Sequence, residues 1–128
     1  VFNHGKHSRD FTYIDDIVGG IIKTIDYPAT SNKKWNSDQP DPATSNVPWR
    51  IYNIGNNKPV QLMDYIEALE KKLSKKAIIN FLPLQLGDVP DTCADINNLK
   101  VDCHYESSTL VIDGVSYFVD WYRDYYQI

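Results

Sequence analysis

Basic side chains cluster near the start of the chain, immediately before a predicted helix, at His4, Lys6, His7 and Arg9. An arginine can hold a phosphate through two parallel hydrogen bonds, and the start of a helix adds partial positive charge. Asp10, Asp15 and Asp16 follow directly. Two interpretations therefore stay open at this point: Arg9 binds a phosphate, or Arg9 forms a structural ion pair with these aspartates.

A second candidate site lies in the segment Gln85–Pro90, where Asp88 follows Gly87. A carboxylate on a glycine-shaped loop can accept hydrogen bonds from two neighbouring hydroxyls, such as those of a ribose. Aspartate beside glycine and proline more commonly stabilises a turn. Taken alone, the segment favours the turn.

The sequence contains no recognisable catalytic, cofactor or metal motif. Its 6 glycines are not spaced as a dinucleotide-binding turn, and no tyrosine is followed by a lysine four positions later. The cysteines Cys93 and Cys103 lack zinc-ligand spacing with the histidines. We therefore expect no catalytic residue, no bound cofactor and no metal site among these residues.

Composition excludes several classes of protein. Acidic residues outnumber basic ones, 17 to 13, and the pI is about 5.2, which argues against nucleic-acid binding. The apolar runs are too short to span a membrane, and the chain does not begin with a signal-peptide pattern. Two cysteines without a disulfide framework favour reduced thiols and a cytoplasmic location.

Hydrophobic periodicity predicts one small α/β domain over residues 1–128, with a flexible polar loop at about 28–48. We expect helices after Asp15, from about 62 to an end among the lysines at 71–76, over 95–99 and near the end of the chain, and short strands at 1–3, 50–54 and 77–81. The first helix should bury Ile17, Ile21 and Ile25. The last should bury Val111, Val115, Phe118 and Tyr122. Gly19 and Gly20 weaken the first helix, so they indicate either a close contact or a tolerated cost.

Four segments together resemble the NAD-dependent epimerase/dehydratase family of extended short-chain dehydrogenase/reductases. The first runs Ser-Arg-Asp-Phe-Thr-Tyr-Ile-Asp-Asp-Ile from Ser8, and the others are 41–45, 50–56 and 87–90. They occur in the family's order, and the resemblance covers essentially the whole chain. Within the family it is strongest to the UDP-glucuronate 4-epimerases.

This resemblance implies the small C-terminal substrate-binding domain, without the Rossmann domain on which it would pack. It implies that Arg9 contacts the diphosphate of a UDP-sugar and that Asp88 meets the uridine ribose. Gln85 stands where galactose-type epimerases commonly carry a second phosphate-binding arginine. The family's chemistry is a redox cycle on tightly held NAD, whose binding residues lie outside this sequence.

The sequence begins at Val1 within a predicted strand, so we expect a fragment that is inactive alone and self-associates through uncovered apolar surface. The parent is expected to be a homo-oligomer. Two alternatives stay open: another nucleotide-sugar epimerase, dehydratase or decarboxylase of the family, or a non-catalytic binding module.

Overall fold

A computed structural model describes residues 1–128, which form four α-helices and one very small sheet. The elements are β1 (Ser8–Arg9), α1 (Ile14–Asp26), β2 (Val60–Gln61), α2 (Leu62–Leu73), α3 (Asn97–Cys103) and α4 (Val111–Tyr126). A short 3₁₀ turn, Phe2–Gly5, precedes β1. β1 and β2 pair antiparallel, with Ser8 opposite Gln61 and Arg9 opposite Val60.

The predicted helices are confirmed, with the third displaced toward the C-terminus. Acidic residues begin α1 at Asp15 and Asp16, and Lys23 lies in its last turn, which complements the helix dipole. α2 ends at Ser74, which adopts a left-handed conformation with φ 53°. The 28–48 segment contains no helix or strand, although Thr44 forms an isolated bridge with Arg50. The flexibility of this loop stays a prediction.

The three predicted strands are wrong. Residues 1–3 enter the 3₁₀ turn, Arg50 makes only the single bridge to Thr44, and 77–81 is extended without belonging to a sheet. Val1 does bond to this last segment, because its amino group donates to the Asn80 carbonyl at 2.7 Å and its carbonyl accepts from Leu82 N at 2.9 Å. Alternation of apolar and polar residues indicates a half-buried segment. A strand also needs a neighbouring strand to pair with, and these three segments have none in this chain.

The core consists of two small clusters. Ala68 of α2 packs against Val115 and Val119 of α4, and a second cluster surrounds α3. The buried members of the α3 cluster are Ile96, Leu99, Cys103 and Tyr105. Only 14 of the 128 residues are buried, so most apolar side chains lie outside both clusters.

The buried stripe predicted for α1 is wrong, because Ile21 is 49% exposed and Ile25 is 73% exposed. On α4, Val115 is buried as predicted, but Phe118 and Tyr122 are exposed. The buried residue of α1 is Gly20, which lies against Tyr105, whereas Ile21 and Ile25 stay exposed. Self-association through this surface stays a prediction. None of the helices combines the length and apolar character that a membrane span requires.

The two helix glycines give a matched pair of substitutions. A Cβ at Gly19 would meet nothing within 4 Å, whereas one at Gly20 would lie 3.0 Å from Tyr105 Cε2. Tyr105 is buried, and its hydroxyl donates to the Gly55 carbonyl at 3.0 Å, so the ring cannot easily move. We expect Gly19→Ala to raise the free energy of unfolding by about 0.5–1 kcal/mol through helix propensity. We expect Gly20→Ala to lower it by about 1 kcal/mol or more. Urea unfolding of both variants checks this, and equal effects of the two would contradict it.

Candidate functional site

β1 lies between β2 and the loop that carries Asp88. Ser8 N donates to the Pro90 carbonyl at 3.0 Å, and Thr92 N donates to the Ser8 carbonyl at 3.2 Å. Ser8 Oγ also donates to Asp91 Oδ1 at 2.5 Å. These bonds hold residues 88–92 beside β1, although 79 positions separate Asp88 from Arg9.

The structure brings Arg9 and Asp88 together as an ion pair, with Arg9 Nη2 at 3.2 Å from Asp88 Oδ1. The same nitrogen donates to the Val89 carbonyl at 2.9 Å. Nη1 donates to the Ser8 and Pro90 carbonyls at 2.9 and 2.8 Å. Four of the five guanidinium N–H groups are thus engaged, and the Nε–H has no protein partner. The structural ion pair considered from the sequence exists, but its partner is Asp88 and not the neighbouring aspartates.

Gln85 lies on the same loop with an exposed side chain that makes no hydrogen bond. Its carbonyl accepts from Asp88 N at 3.1 Å, and Gly87 adopts φ 84° within this turn. The Asp88 carboxylate also accepts from Val89 N at 2.8 Å, so the turn expected from the sequence is present alongside the ion pair. The structure therefore joins Arg9 and Asp88 but leaves the Gln85 side chain apart. The ligand-binding roles of all three stay predictions.

Asp10 holds the loops around this pair in place. Its Oδ2 accepts from Asn57 N and Ala94 N, both at 3.0 Å, and its Oδ1 accepts from Lys58 N at 3.2 Å. Gly55 permits the approach, because a Cβ there would lie 2.4 Å from Ala94 Cβ and 2.7 Å from Asp10 Oδ2. The sequence interpretation of Asp10 as a partner of Arg9 is wrong. Successive side chains of an extended segment point to opposite faces, and that alternation was the available signal.

Asp16 makes a similar connection between the start of α1 and the segment before α4. Its carboxylate accepts from Ser107 Oγ and Thr109 N at 3.1 Å and from Ser108 N at 3.3 Å. Burial alone would raise the pKa of Asp16, but these hydrogen bonds outweigh burial and lower the pKa. The ionised carboxylate therefore stabilises the fold above its ordinary titration range, and this contribution is lost on acidification through the lowered pKa.

His7 is the residue of this site that the sequence analysis left without a role of its own. Its ring is buried, and Nε2 lies 3.6 Å from Asp88 Oδ2. Nδ1 lies 3.1 Å from the Pro90 carbonyl oxygen. Residues at i and i+2 of an extended segment share a face, so His7 and Arg9 reach the same carboxylate. The structure contains no group of three or more His, Cys, Asp or Glu residues that could hold a metal ion.

No family model matches the chain. Protein CapI of Staphylococcus aureus is 50% identical to it over 99% of this chain and 38% of its own length. A probable UDP-glucuronate 4-epimerase of Rhizobium meliloti is 37% identical over 99% of this chain and 38% of its own length. A UDP-glucuronic acid 4-epimerase of Bacillus cereus, solved with UDP-glucuronic acid and NAD, superposes with a TM-score of 0.75. That protein is 29% identical, and the match covers 98% of this chain and 35% of that one.

The chain is related to the C-terminal part of the UDP-glucuronate 4-epimerases. The resemblance inferred from its motifs is therefore confirmed. The fold class is confirmed as well: the chain is a small α/β structure that matches the C-terminal portion of extended short-chain dehydrogenase/reductase epimerases, without their Rossmann domain. The chain spans about 38% of the length of the first curated relatives that it matches.

The Asp10 hydrogen bonds generate a stability prediction. Asp10→Asn would replace one acceptor oxygen with an amide that faces backbone N–H groups, and bonds to a charged acceptor are worth about 1.5–3 kcal/mol. We expect a loss of about 2 kcal/mol in the free energy of unfolding at neutral pH. Asp15→Asn is the matched control, since Asp15 is exposed on the first turn of α1 and should cost less than about 1 kcal/mol. Chemical unfolding of the two variants distinguishes them, and an Asp10→Asn variant as stable as Asp15→Asn would refute the role of this carboxylate.

Proposed function

We propose that this chain is the UDP-sugar-binding part of an NAD-dependent UDP-glucuronate 4-epimerase. The observation that carries the proposal is sequence identity to proteins of that name along almost the whole chain, 37% for the Rhizobium protein and 39% for an Arabidopsis thaliana protein. The solved B. cereus relative was crystallised with UDP-glucuronic acid and NAD. Carbohydrate metabolism in the cytoplasm is proposed on the same basis, and the two free thiols of Cys93 and Cys103 fit that location.

In this proposal Arg9 contacts the diphosphate, Asp88 contacts the uridine ribose, and Gln85 contacts the substrate from the loop that carries Asp88. Two N–H groups of Arg9 are the most available to a phosphate. One is the Nε–H, which has no protein partner, and the other is the Nη2–H whose bond to Asp88 is the longest, at 3.2 Å. The Arg9 side chain is 27% exposed and that of Asp88 is 33% exposed, so a ligand can reach both. Anchoring at the diphosphate contributes binding energy remote from the reacting sugar carbon.

We infer that the residues of this chain do not by themselves form a site for NAD. The structure has a two-stranded antiparallel sheet and no strand that leads through a glycine-rich turn into a helix. The part of the protein that binds NAD, and with which this chain would pack, is proposed to be an upstream Rossmann domain. The homo-oligomeric state of the parent belongs to the same proposal.

Arg9 provides the test of the proposed diphosphate contact. In the full-length protein, Arg9→Gln should weaken UDP-glucuronate binding about 10- to 100-fold, because it removes charge-assisted hydrogen bonds. Arg123→Gln is the control, since Arg123 is an exposed arginine at the end of α4. Calorimetric titration with UDP-glucuronate, UDP-glucose and a TDP-sugar measures both affinity and choice of nucleotide sugar. An unchanged dissociation constant in Arg9→Gln, with a fold as stable as that of the control, would exclude the contact.

The missing cofactor site leads to a separate prediction. The 128-residue chain alone, mixed with NAD and UDP-glucuronate, should produce no UDP-galacturonate, because it supplies neither a dinucleotide site nor a Tyr-x-x-x-Lys pair. Chromatography of the nucleotide sugars after prolonged incubation measures the product. Turnover above a control without protein would show that the chain carries catalytic groups of its own.

A further inference from the structure

The Asp88 carboxylate lies between the side chains of His7 and Arg9, which share one face of the first extended segment. Oδ1 is 3.2 Å from Arg9 Nη2, and Oδ2 is 3.6 Å from His7 Nε2. The Arg9 contact is a hydrogen bond, whereas the His7 contact exceeds hydrogen-bonding distance. His7 Nε2 is buried and has no hydrogen-bond partner. A buried polar atom that faces a ligand-accessible carboxylate without bonding to it calls for an explanation.

The protonation state of the imidazole explains why His7 Nε2 and the Asp88 carboxylate do not form a hydrogen bond. Nδ1 faces the Pro90 carbonyl, which can only accept, so Nδ1 carries a proton. In the neutral ring Nε2 is then an acceptor, and it faces a carboxylate oxygen that is also an acceptor. The two atoms can bond only after His7 binds a second proton and becomes an imidazolium. The hydrogen bond between His7 and Asp88 can therefore form only when the imidazole carries both protons.

The charged groups that face His7 are few. On its own strand the neighbour is Arg9, and on the 85–92 loop it is Asp88, with no other carboxylate within 4.0 Å of the ring nitrogens. Asp91 on that loop accepts from Ser8 Oγ. From the start of α2 the contact is the Leu62 N–H, which donates to the His7 carbonyl at 2.8 Å. The charge of the imidazole therefore acts mainly on Asp88 and Arg9.

We propose that His7 is a positioning residue for Asp88: when a nucleotide diphosphate takes the Arg9 guanidinium, His7 binds a proton at Nε2 and holds the Asp88 carboxylate. This inference rests on the proposed function, because it requires a diphosphate at Arg9. A diphosphate that bonds to Arg9 competes with Asp88 for Nη2 and places negative charge beside the carboxylate. A protonated His7 offsets that charge and gives Asp88 a new donor, which keeps its other oxygen directed at the ligand.

The inference predicts that binding takes up a proton and that affinity falls as pH rises. Proton uptake of up to one per ligand should appear when UDP-glucuronate is titrated into the full-length protein in two buffers of different ionisation enthalpy. The dissociation constant should be about 10-fold higher at pH 8 than at pH 6, since imidazole is the side chain that ordinarily changes charge in this range. A diphosphate diester has no phosphate group that titrates there.

Three variants separate positioning from a structural role. His7→Gln places an amide donor near Nε2, so it should retain affinity but lose both the pH dependence and the proton uptake. His7→Asn retains a donor toward the Pro90 carbonyl only, and it should bind several-fold more weakly at pH 6. His4→Gln is the matched control, an exposed histidine three positions earlier, and should behave as the wild type.

The outcomes are distinguishable. Binding by the wild type without proton uptake overturns the role of His7 and leaves the proposed function intact, as does an unchanged pH dependence in His7→Asn. An Arg9→Gln variant with wild-type affinity overturns the diphosphate contact and this inference together. The wild-type measurement of proton uptake needs no variant, so a poorly folding His7 substitution does not prevent the test.

Discussion

The candidate site depends on one carboxylate, that of Asp10, and on the three backbone N–H groups that it accepts from Asn57, Lys58 and Ala94. These donors belong to two loops that contain no helix or strand. Backbone N–H groups in such loops must find acceptors, and a charged acceptor is among the strongest available. Because Asp10 directly follows β1, the same interaction fixes both loops relative to Arg9. Gly55 is part of this arrangement, since any side chain there would occupy the space between Asp10 and Ala94.

The two faces of the first extended segment have different tasks. Ser8 and Asp10 bond to Asp91 and to backbone groups, and they build the framework. His7 and Arg9 both face Asp88, and they form the polar cluster that a ligand could reach. This division follows from the period of two in extended chains. It also explains why adjacent residues of opposite charge, Arg9 and Asp10, do not neutralise each other.

The small core leaves many large apolar side chains of this chain exposed. Its two buried clusters lie around α3 and between α2 and α4, and α1 meets the α3 cluster through Gly20 against Tyr105. Large apolar residues such as Ile25, Trp121 and Tyr125 are more than half exposed. Exposed apolar area of this extent is typical of surfaces that contact another domain or chain. The relatives that the chain matches are about two and a half to three and a half times as long, so such a surface is consistent with the family.

Helices α2 and α4, the polar loop after α1, the lack of catalytic motifs and the resemblance to the UDP-glucuronate 4-epimerases could all be inferred from the sequence. Hydrophobic periodicity and the order of motifs can be read from the sequence itself, so they do not depend on how distant segments pack. The pairing of Arg9 with Asp88, and not with Asp10, could not be predicted from the sequence, because it depends on a loop 79 positions away that packs against β1. The tertiary structure also decided which glycine of α1 is in contact and which isoleucines remain exposed. Those outcomes depend on which surfaces meet, and a periodic pattern identifies an apolar face without identifying what covers it.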